Sequence, residues 1–296
     1  MLGKIIEKIQ EHQNHVIDIA LYHKGVYETD SLIQMPRCQN SYSLSKSMTS
    51  LAIGAARDKG LLSLDDPILK YLSASLPATY DEKLNRVTIR HLLTMTMGCD
   101  SGYLFEGDRY SYSNQDWVNH ILSQPLAHEP GTRFVYSNSC YYLLSVIIHR
   151  VTGMTLHDFL RMHLYNPLGI HSYAWETCPM GETMGATGLY MATEDILKVG
   201  VLCLRRGFHN GMRLISEEYL SEATVNQVEG IKDAPAYGYG FWMLKKGYEG
   251  NGAHGQFMKV FPSYDLVAAA HSYDDHVDLT AMIMDVLEES VDREEI

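Results

Sequence analysis

Segments with strand patterning occupy both ends of the sequence, and segments with helical patterning fill the middle. Residues 16–22 are apolar and partly β-branched, and a turn after them lets residues 26–29 return alongside. Three late segments, 237–244, 256–261 and 266–271, have the same strand character. This arrangement predicts an α+β fold in which both ends of the chain build one sheet around a helical insertion.

Helical periodicity begins at Ser43, after which apolar residues recur every three or four positions. We expect Gly60 to end this first helix, because glycine tolerates the left-handed backbone of a helix C-terminus. A short helix is predicted to open at 63–67. Further helices are predicted at 88–97, 115–123, 139–151, 155–165, 193–206 and 278–289. Residues 99–114 form a long loop between two of these helices, and loops of this length often carry function.

The charge balance excludes several classes of partner. The 296 residues include 36 acidic and 24 basic side chains, a net charge of −12, which argues against binding nucleic acid or an anionic membrane. No apolar run approaches the roughly 20 residues that span a bilayer. The charged first ten residues lack the apolar core of a signal peptide, which predicts a cytoplasmic protein. No metal-binding or dinucleotide motif occurs, so neither metal nor cofactor is expected.

The S-x-x-K sequence at Ser43 and Lys46 is the sharpest chemical signal. A spacing of three residues at the start of a helix puts the serine hydroxyl and the lysine amine on one face. A serine hydroxyl is a weak nucleophile that needs a nearby base. A lysine amine can be that base if burial lowers its pKa toward neutrality. Alone, the same letters also suit a helix-capping serine with a solvated lysine.

A series of segments in the same order resembles the class C β-lactamase type of serine hydrolase, from about residue 16 to residue 275. This family includes penicillin-binding peptidases, β-lactamases, esterases and amide hydrolases. The segments that carry the resemblance are 41–47, 61–67, 88–98, 129–138, 167–169 and 188–190, followed by Asp195. The resemblance implies a β-lactamase/transpeptidase-like fold, an antiparallel sheet flanked by helices with an all-helical subdomain.

The resemblance also implies a division of the chain into two parts. Residues 1–42 and 187–296 would form the sheet domain, and residues 43–186 a mainly helical subdomain. The active site would lie at the interface between them.

The family's second motif, Y-x-N, is read at Tyr136 and Asn138. The tyrosine would accept and return a proton, and the asparagine amide would hold Lys46 and the substrate. The same letters begin at Tyr112, inside the long loop, where the tyrosine could touch substrate or be simply solvated. We favour Tyr136, because the Glu-Pro-Gly-Thr-Arg-Phe sequence precedes it and a helix follows, as in the family.

The family's third motif, K-T-G or H-x-G, is where the chain departs from the pattern. Aligned on Gly255 and Gln256, the cation position falls on Ala253, and a shift by one residue gives it to His254. A literal K-x-G occurs at residues 245–247, but the strand pattern that should follow it is missing. The backbone N–H groups of Ser43 and Gln256 would form the oxyanion hole, in which one donor typically lowers the barrier by about 3 kcal/mol.

These motifs together predict a serine hydrolase that forms a covalent acyl-enzyme. In penicillin-recognising members the third-motif cation helps to hold the substrate carboxylate, so its absence favours a small ester or amide substrate. Two alternatives stay open: a β-lactamase or D-alanyl-D-alanine peptidase-type enzyme acting on a peptide, and a non-catalytic binding protein that kept the fold. The oligomeric state cannot be read from the sequence.

Overall fold

A six-stranded antiparallel sheet forms the centre of the fold in a computed structural model that describes residues 1–274 and 279–294. The strands, in chain order, are β1 Val16–His23, β2 Val26–Ser31, β3 Gln39–Asn40, β4 Tyr173–Trp175, β5 Leu189–Met191, β6 Phe208–His209, β7 Met212–Arg213, β8 Trp242–Leu244, β9 Gly247–Gly252, β10 Gln256–Phe261 and β11 Leu266–Ser272. The order across the main sheet is β2-β1-β11-β10-β9-β8, so β1 and β11, one from each end of the sequence, pair inside the sheet.

Helices cover both faces of this sheet. They are α1 Leu2–Glu11, α2 Ser45–Asp58, α3 Leu69–Leu72, α4 Ile89–Leu93, α5 Trp117–Leu122, α6 Asn138–Thr152, α7 Leu156–Leu160, α8 Thr193–Leu204, α9 Glu217–Ala223 and α10 Leu279–Glu294. A 3-10 turn, Tyr42–Leu44, precedes α2, and a π-helical segment, Arg161–Tyr165, continues α7.

Successive side chains of β1 point to opposite faces of the sheet, and this divides the apolar core into two clusters. Ile19 and Leu21 point to one face, where they pack in a cluster with α1 and α10. Ala20 and Tyr22 point to the other face and join the larger cluster that contains α2, α6 and α8. The period of two in a strand therefore produces two apolar layers, and the sheet lies between them.

The predicted α+β class, with an antiparallel sheet flanked by helices, is confirmed. The division between residues 1–42 with 187–296 and residues 43–186 stays a prediction. The short strands β3 and β4 both pair with β5. None of the described helices is both long enough and apolar enough to cross a bilayer, and the cytoplasmic location stays a prediction.

Two predicted elements are shorter than the sequence suggested. The helix expected at 88–97 ends at Leu93, because Met95 takes a left-handed φ of +54° that an α-helix cannot contain. The strand expected at 237–244 is confined to Trp242–Leu244. Gly240, with φ +80°, turns the preceding chain toward α2, where its carbonyl accepts a hydrogen bond from Ser47 Oγ at 2.6 Å.

Several further elements were not expected from the sequence. They include the helices α1 and α9, the glycine-rich strand β9 and the short strands β3 to β7. The last helix was predicted at 278–289 and is observed as Leu279–Glu294, while residue 278 lies outside the described residues. The long loop at 99–114 is interrupted by a single 3-10 turn, Arg109–Ser111.

The packing of α2 gives a test of the fold. Gly54 faces the ring of Tyr219 so closely that an added Cβ would overlap with it, and hydrogen bonding between the Tyr219 hydroxyl and Ser50 holds that ring in place. We expect Gly54→Ala to destabilise the protein by about 1–3 kcal/mol despite the better helix propensity of alanine. Urea unfolding measures the change.

The matched control is Gly3→Ala in α1, where nothing lies within 4 Å of the added Cβ. That variant should be neutral or stabilising by up to about 1 kcal/mol. Equal midpoints for the two variants would contradict the packing described at Gly54.

Candidate active site

Ser43 lies in the 3-10 turn at the start of α2, on a strained backbone. Tyr42, immediately before it, has a φ of +45°, a conformation that costs energy for a residue other than glycine. Two hydrogen bonds hold this conformation: Tyr42 N donates to Asn40 Oδ1 at 2.9 Å, and Ser45 Oγ donates to Tyr42 O at 2.5 Å. Such backbone strain is typical of functional sites, where one side chain must be held in a particular orientation.

The amine of Lys46 lies at the centre of three oxygen atoms. Its Nζ is 3.0 Å from Ser43 Oγ, 2.7 Å from Asn138 Oδ1 and 2.8 Å from the carbonyl oxygen of Ala186. The side chain is 2% exposed. Burial lowers the pKa of Lys46, and the nearby Tyr136 hydroxyl opposes that shift.

Asn138 has a fixed orientation because its Nδ2 donates to the carbonyl of Leu104 at 3.0 Å. Its Oδ1 must therefore be the atom that accepts from Lys46. The carbonyl of Ala186 can also only accept. When Lys46 is neutral, its two N–H groups go to these acceptors, and the lone pair is left for the hydroxyl proton of Ser43. The contacts thus orient the amine as a base.

Tyr136 joins the same group of residues. Lys46 Nζ lies 4.8 Å from the centre of its ring. The ring stacks against two others: its centre lies 5.9 Å from that of Trp242, with 22° between the ring planes, and 6.4 Å from that of Phe105, with 19°. This stack restricts the tyrosine ring, because moving it would break two aromatic contacts.

Strand β9 passes directly beside the serine turn. A Cβ on Gly252 would overlap with the carbonyl of Ser41 and would lie 3.2 Å from Ser43 N. A Cβ on Gly250 would lie 2.6 Å from Leu44. The two glycines therefore allow the backbone of β9 to contact the turn that carries Ser43.

A cavity of about 610 Å³ opens in front of Ser43. Tyr136 and Trp242 form part of its lining, and Glu249 and Asn251 of β9 form another part. The structure therefore brings Ser43, Lys46, Tyr136 and Asn138 together, at the mouth of a space that can hold a small molecule.

The residues predicted around the third motif lie in and after the turn that follows β9. His254 is exposed, has a φ of +64°, and its ring meets the Tyr42 ring edge-on at 5.1 Å. Gly255, with φ +81°, and Gln256 line the cavity. The side chain of Gln256 is bound to the backbone of Ser272, its Nε2 donating to the carbonyl at 2.6 Å.

The alternative K-x-G sequence has a different position. Lys245 and Lys246 form the two-residue turn between β8 and β9, at the opposite end of β9 from Gly252. Along an extended strand of this length, the two ends of β9 at Gly247 and Gly252 lie about 17 Å apart, so this sequence is far from the turn with Ser43.

Tyr112 does not line the cavity in the part of the chain that the structure describes. Its hydroxyl donates to Asp108 Oδ2 at 2.8 Å and accepts from Leu104 N at 3.3 Å. Burial and the Asp108 carboxylate raise the pKa of Tyr112 to about 12. The N–H of Leu104 is thus held by Tyr112 and its carbonyl by Asn138, which ties the long loop to the site.

Sequence reasoning missed six residues that line the cavity: Trp242, Glu249, Asn251, Gly252, Phe257 and Lys259. The signal for β9 was present as three glycines within Gly247–Gly252, since such a run suits close backbone approach. Glu249 and Lys259 could not be found this way, because their pairing depends on the register between β9 and β10.

Comparisons with known proteins place the chain in a family. The sequence model of the beta-lactamase family matches residues 39–288, and the chain therefore belongs to this family. It is 32% identical over 161 residues to penicillin-binding protein 4* of Bacillus subtilis (strain 168), which covers 51% of this chain and 34% of that protein. Protein flp of Staphylococcus aureus (strain MW2) is 32% identical over 126 residues, 42% of this chain and 25% of its own length. The chain spans about a third or less of these relatives.

Solved structures agree with the fold. A putative 6-aminohexanoate-dimer hydrolase from Bacillus anthracis has a TM-score of 0.80 at 18% identity, covering 96% of this chain and 82% of its own. A putative beta-lactamase from Bacteroides dorei also has a TM-score of 0.80 at 18% identity, and the match covers 97% of this chain and 98% of its own. These similarities confirm the predicted β-lactamase-like fold.

The buried amine predicts how the reactivity of Ser43 depends on pH. A free lysine has a pKa of about 10.4. Because burial lowers the pKa of Lys46, its neutral form is reached at a lower pH than that. The rate at which a fluorophosphonate labels Ser43, measured by intact mass, should rise through a pKa below that value. Lys46→Arg, whose side chain stays charged, should slow labelling about 100-fold or more.

Lys59→Arg is the matched control, since Lys59 follows the same helix and is exposed. Its labelling rate and pH profile should equal those of the unaltered protein. An inflection near 10.4 would contradict the lowered pKa of Lys46, and fast labelling of Lys46→Arg would contradict the role of the amine as a base.

Proposed function

We propose that this protein is a serine hydrolase that acts on a small ester or amide through a covalent acyl-enzyme on Ser43. The contact that carries this proposal is the one between the buried amine of Lys46 and Ser43 Oγ, at 3.0 Å. Membership of the beta-lactamase family supports it. A solvated lysine, the simpler interpretation of S-x-x-K, would not have two additional acceptors fixing its amine.

The first half-reaction follows from these contacts. Ser43 Oγ attacks the substrate carbonyl carbon while its proton passes to the neutral amine of Lys46. Asn138 and the carbonyl of Ala186 then stabilise the ammonium that forms, because both already accept its other protons. The base needs little reorganisation, which is where a preorganised site gains its advantage.

The leaving group needs a proton, and Tyr136 is the candidate to deliver it from Lys46. Its ring lies beside the Lys46 amine and lines the cavity. After the alcohol or amine leaves, water attacks the acyl-enzyme by the reverse path, with the same residues accepting and returning the proton. We assign the oxyanion hole to the backbone N–H groups of Ser43 and Gln256. Because the Gln256 side chain is already bound to Ser272, its backbone is the part left for this role.

A second candidate is a penicillin-reactive enzyme, either a β-lactamase or a D-alanyl-D-alanine peptidase type. The similarity to penicillin-binding protein 4* favours it. Against it, Ala253 stands at the third-motif cation position in the alignment on Gly255 and Gln256, while a shift by one residue would place His254 there.

The two candidates differ in a direct assay. We expect turnover of p-nitrophenyl butyrate to exceed the response to nitrocefin, and Ser43→Ala to lose about a thousandfold or more of it. The measurements are product release and intact mass of the acyl-enzyme. Faster acylation by nitrocefin would favour the second candidate. Absence of any adduct, with a fluorophosphonate included, would indicate a non-catalytic binding protein.

The assignment of the second motif has its own test. Tyr136→Phe keeps the aromatic stack but removes the hydroxyl, so kcat/KM for p-nitrophenyl butyrate should fall about 100-fold or more. Tyr112→Phe, the matched change in the other Y-S-N sequence, should cost less than about tenfold, because it only loosens Leu104. The reverse order would assign the motif to Tyr112.

A further inference from the structure

The cavity in front of Ser43 contains a buried pair of opposite charges. Glu249 on β9 and Lys259 on β10 are direct partners across the two strands and form an ion pair. Each residue is 8% exposed. Among the described residues that line this cavity, they are the only ones with charged side chains.

Each charged group of this pair is held by contacts with the other and with its neighbours. Glu249 Oε2 pairs with Lys259, and Glu249 Oε1 accepts from Asn251 Nδ2 at 2.9 Å. The Lys259 amine also lies 4.8 Å from the centre of the Phe257 ring. Both carboxylate oxygens thus have a partner, so Glu249 holds its position against Lys259.

A lone lysine in such a wall would attract an anion strongly, because Lys259 is largely buried and water screens its charge little. A lysine in contact with a carboxylate does not attract an anion in this way. At the position of the approaching anion, the electric fields of the lysine and the carboxylate nearly cancel. A substrate carboxylate that approached this wall would meet the repulsion of Glu249 together with the attraction of Lys259. It would also lose its own hydration.

We propose that Glu249 determines specificity by masking the charge of Lys259, so that the cavity accepts uncharged substrates and rejects those with a carboxylate. The inference rests on the proposed acylation of Ser43 and narrows its substrate class to neutral esters or amides. Without the Glu249 charge, Lys259 becomes a binding group for a substrate carboxylate.

The test compares matched substrates with and without a carboxylate. On the acyl side these are the p-nitrophenyl half-esters of glutaric and adipic acid against p-nitrophenyl pentanoate and hexanoate. On the leaving-group side they are 4-acetoxybenzoate against phenyl acetate. The readout is the ratio of kcat/KM, carboxylated over neutral, after subtraction of the rate with Ser43→Ala. Where deacylation is slow, the rate of acyl-enzyme formation by intact mass replaces kcat/KM.

The variants form a charge cycle. Glu249→Gln, which leaves Lys259 unpaired, should raise the ratio about tenfold or more for at least one carboxylated substrate. Lys259→Gln should lower it, because Glu249 then repels the anion alone. The double variant Glu249→Gln/Lys259→Gln should return the ratio close to that of the unaltered protein.

Glu217→Gln is the matched control, because Glu217 forms an exposed ion pair with Arg206 and does not line the cavity. Its ratio should not change. Thermal melting accompanies each variant, since removing one partner of a buried pair is destabilising. If Glu249→Gln does not fold, Lys259→Gln and the double variant still test the cycle from the other side.

The outcomes separate this inference from the proposed function. If Ser43 is acylated and no carboxylated substrate changes its ratio across the cycle, the pair is structural and the specificity role is overturned. If no variant that retains Ser43 is acylated by any ester, the proposed function fails and this inference falls with it.

Discussion

The buried amine of Lys46 is the constraint on which the rest of the site depends. A charge or polar group removed from water must find hydrogen-bond partners, or its burial destabilises the fold. Three separate parts of the chain provide them: the turn with Ser43, the start of α6 at Asn138, and the backbone of Ala186. Asn138 in turn is held by Leu104, whose φ is +65°. The long loop is therefore coupled to the protonation chemistry even though most of it lies outside the cavity.

Close backbone approach is the second requirement, and glycine meets it. Gly250 and Gly252 bring β9 against the turn with Ser43, which leaves the side chains between and before them, Asn251 and Glu249, on the cavity side. A side chain at either glycine would push the strand away and open the wall. The same backbone contact thus sets both the distance from β9 to Ser43 and the side chains that the facing wall presents.

Local patterns were predictable, and features that depend on distant pairing were not. The helix that follows Ser43 was predictable because the spacing between Ser43 and Lys46 is local, running from the 3-10 turn directly into α2. Strand β9 was missed because its glycines have low strand propensity, and its neighbours β8 and β10 define it instead. The Glu249–Lys259 pair was missed because the turn between the strands, with His254 at φ +64°, sets the register. The helix at 88–97 was overextended because nothing in the letters signals the left-handed backbone of Met95.

The sheet order has a consequence for how the chain reaches its native state. The pairing of β1 with β11 joins Val16–His23 to Leu266–Ser272, strands separated by roughly 250 residues, so the entropy of closing that loop must be overcome. Until residue 272 has been synthesised, β1 lacks its principal partner and its apolar faces stay uncovered. The helices α2 and α4 each pack against α6 over shorter separations and can assemble earlier. We therefore expect helical contacts to form before β1 is fully paired, and an unpaired strand edge of that kind is what chaperones bind.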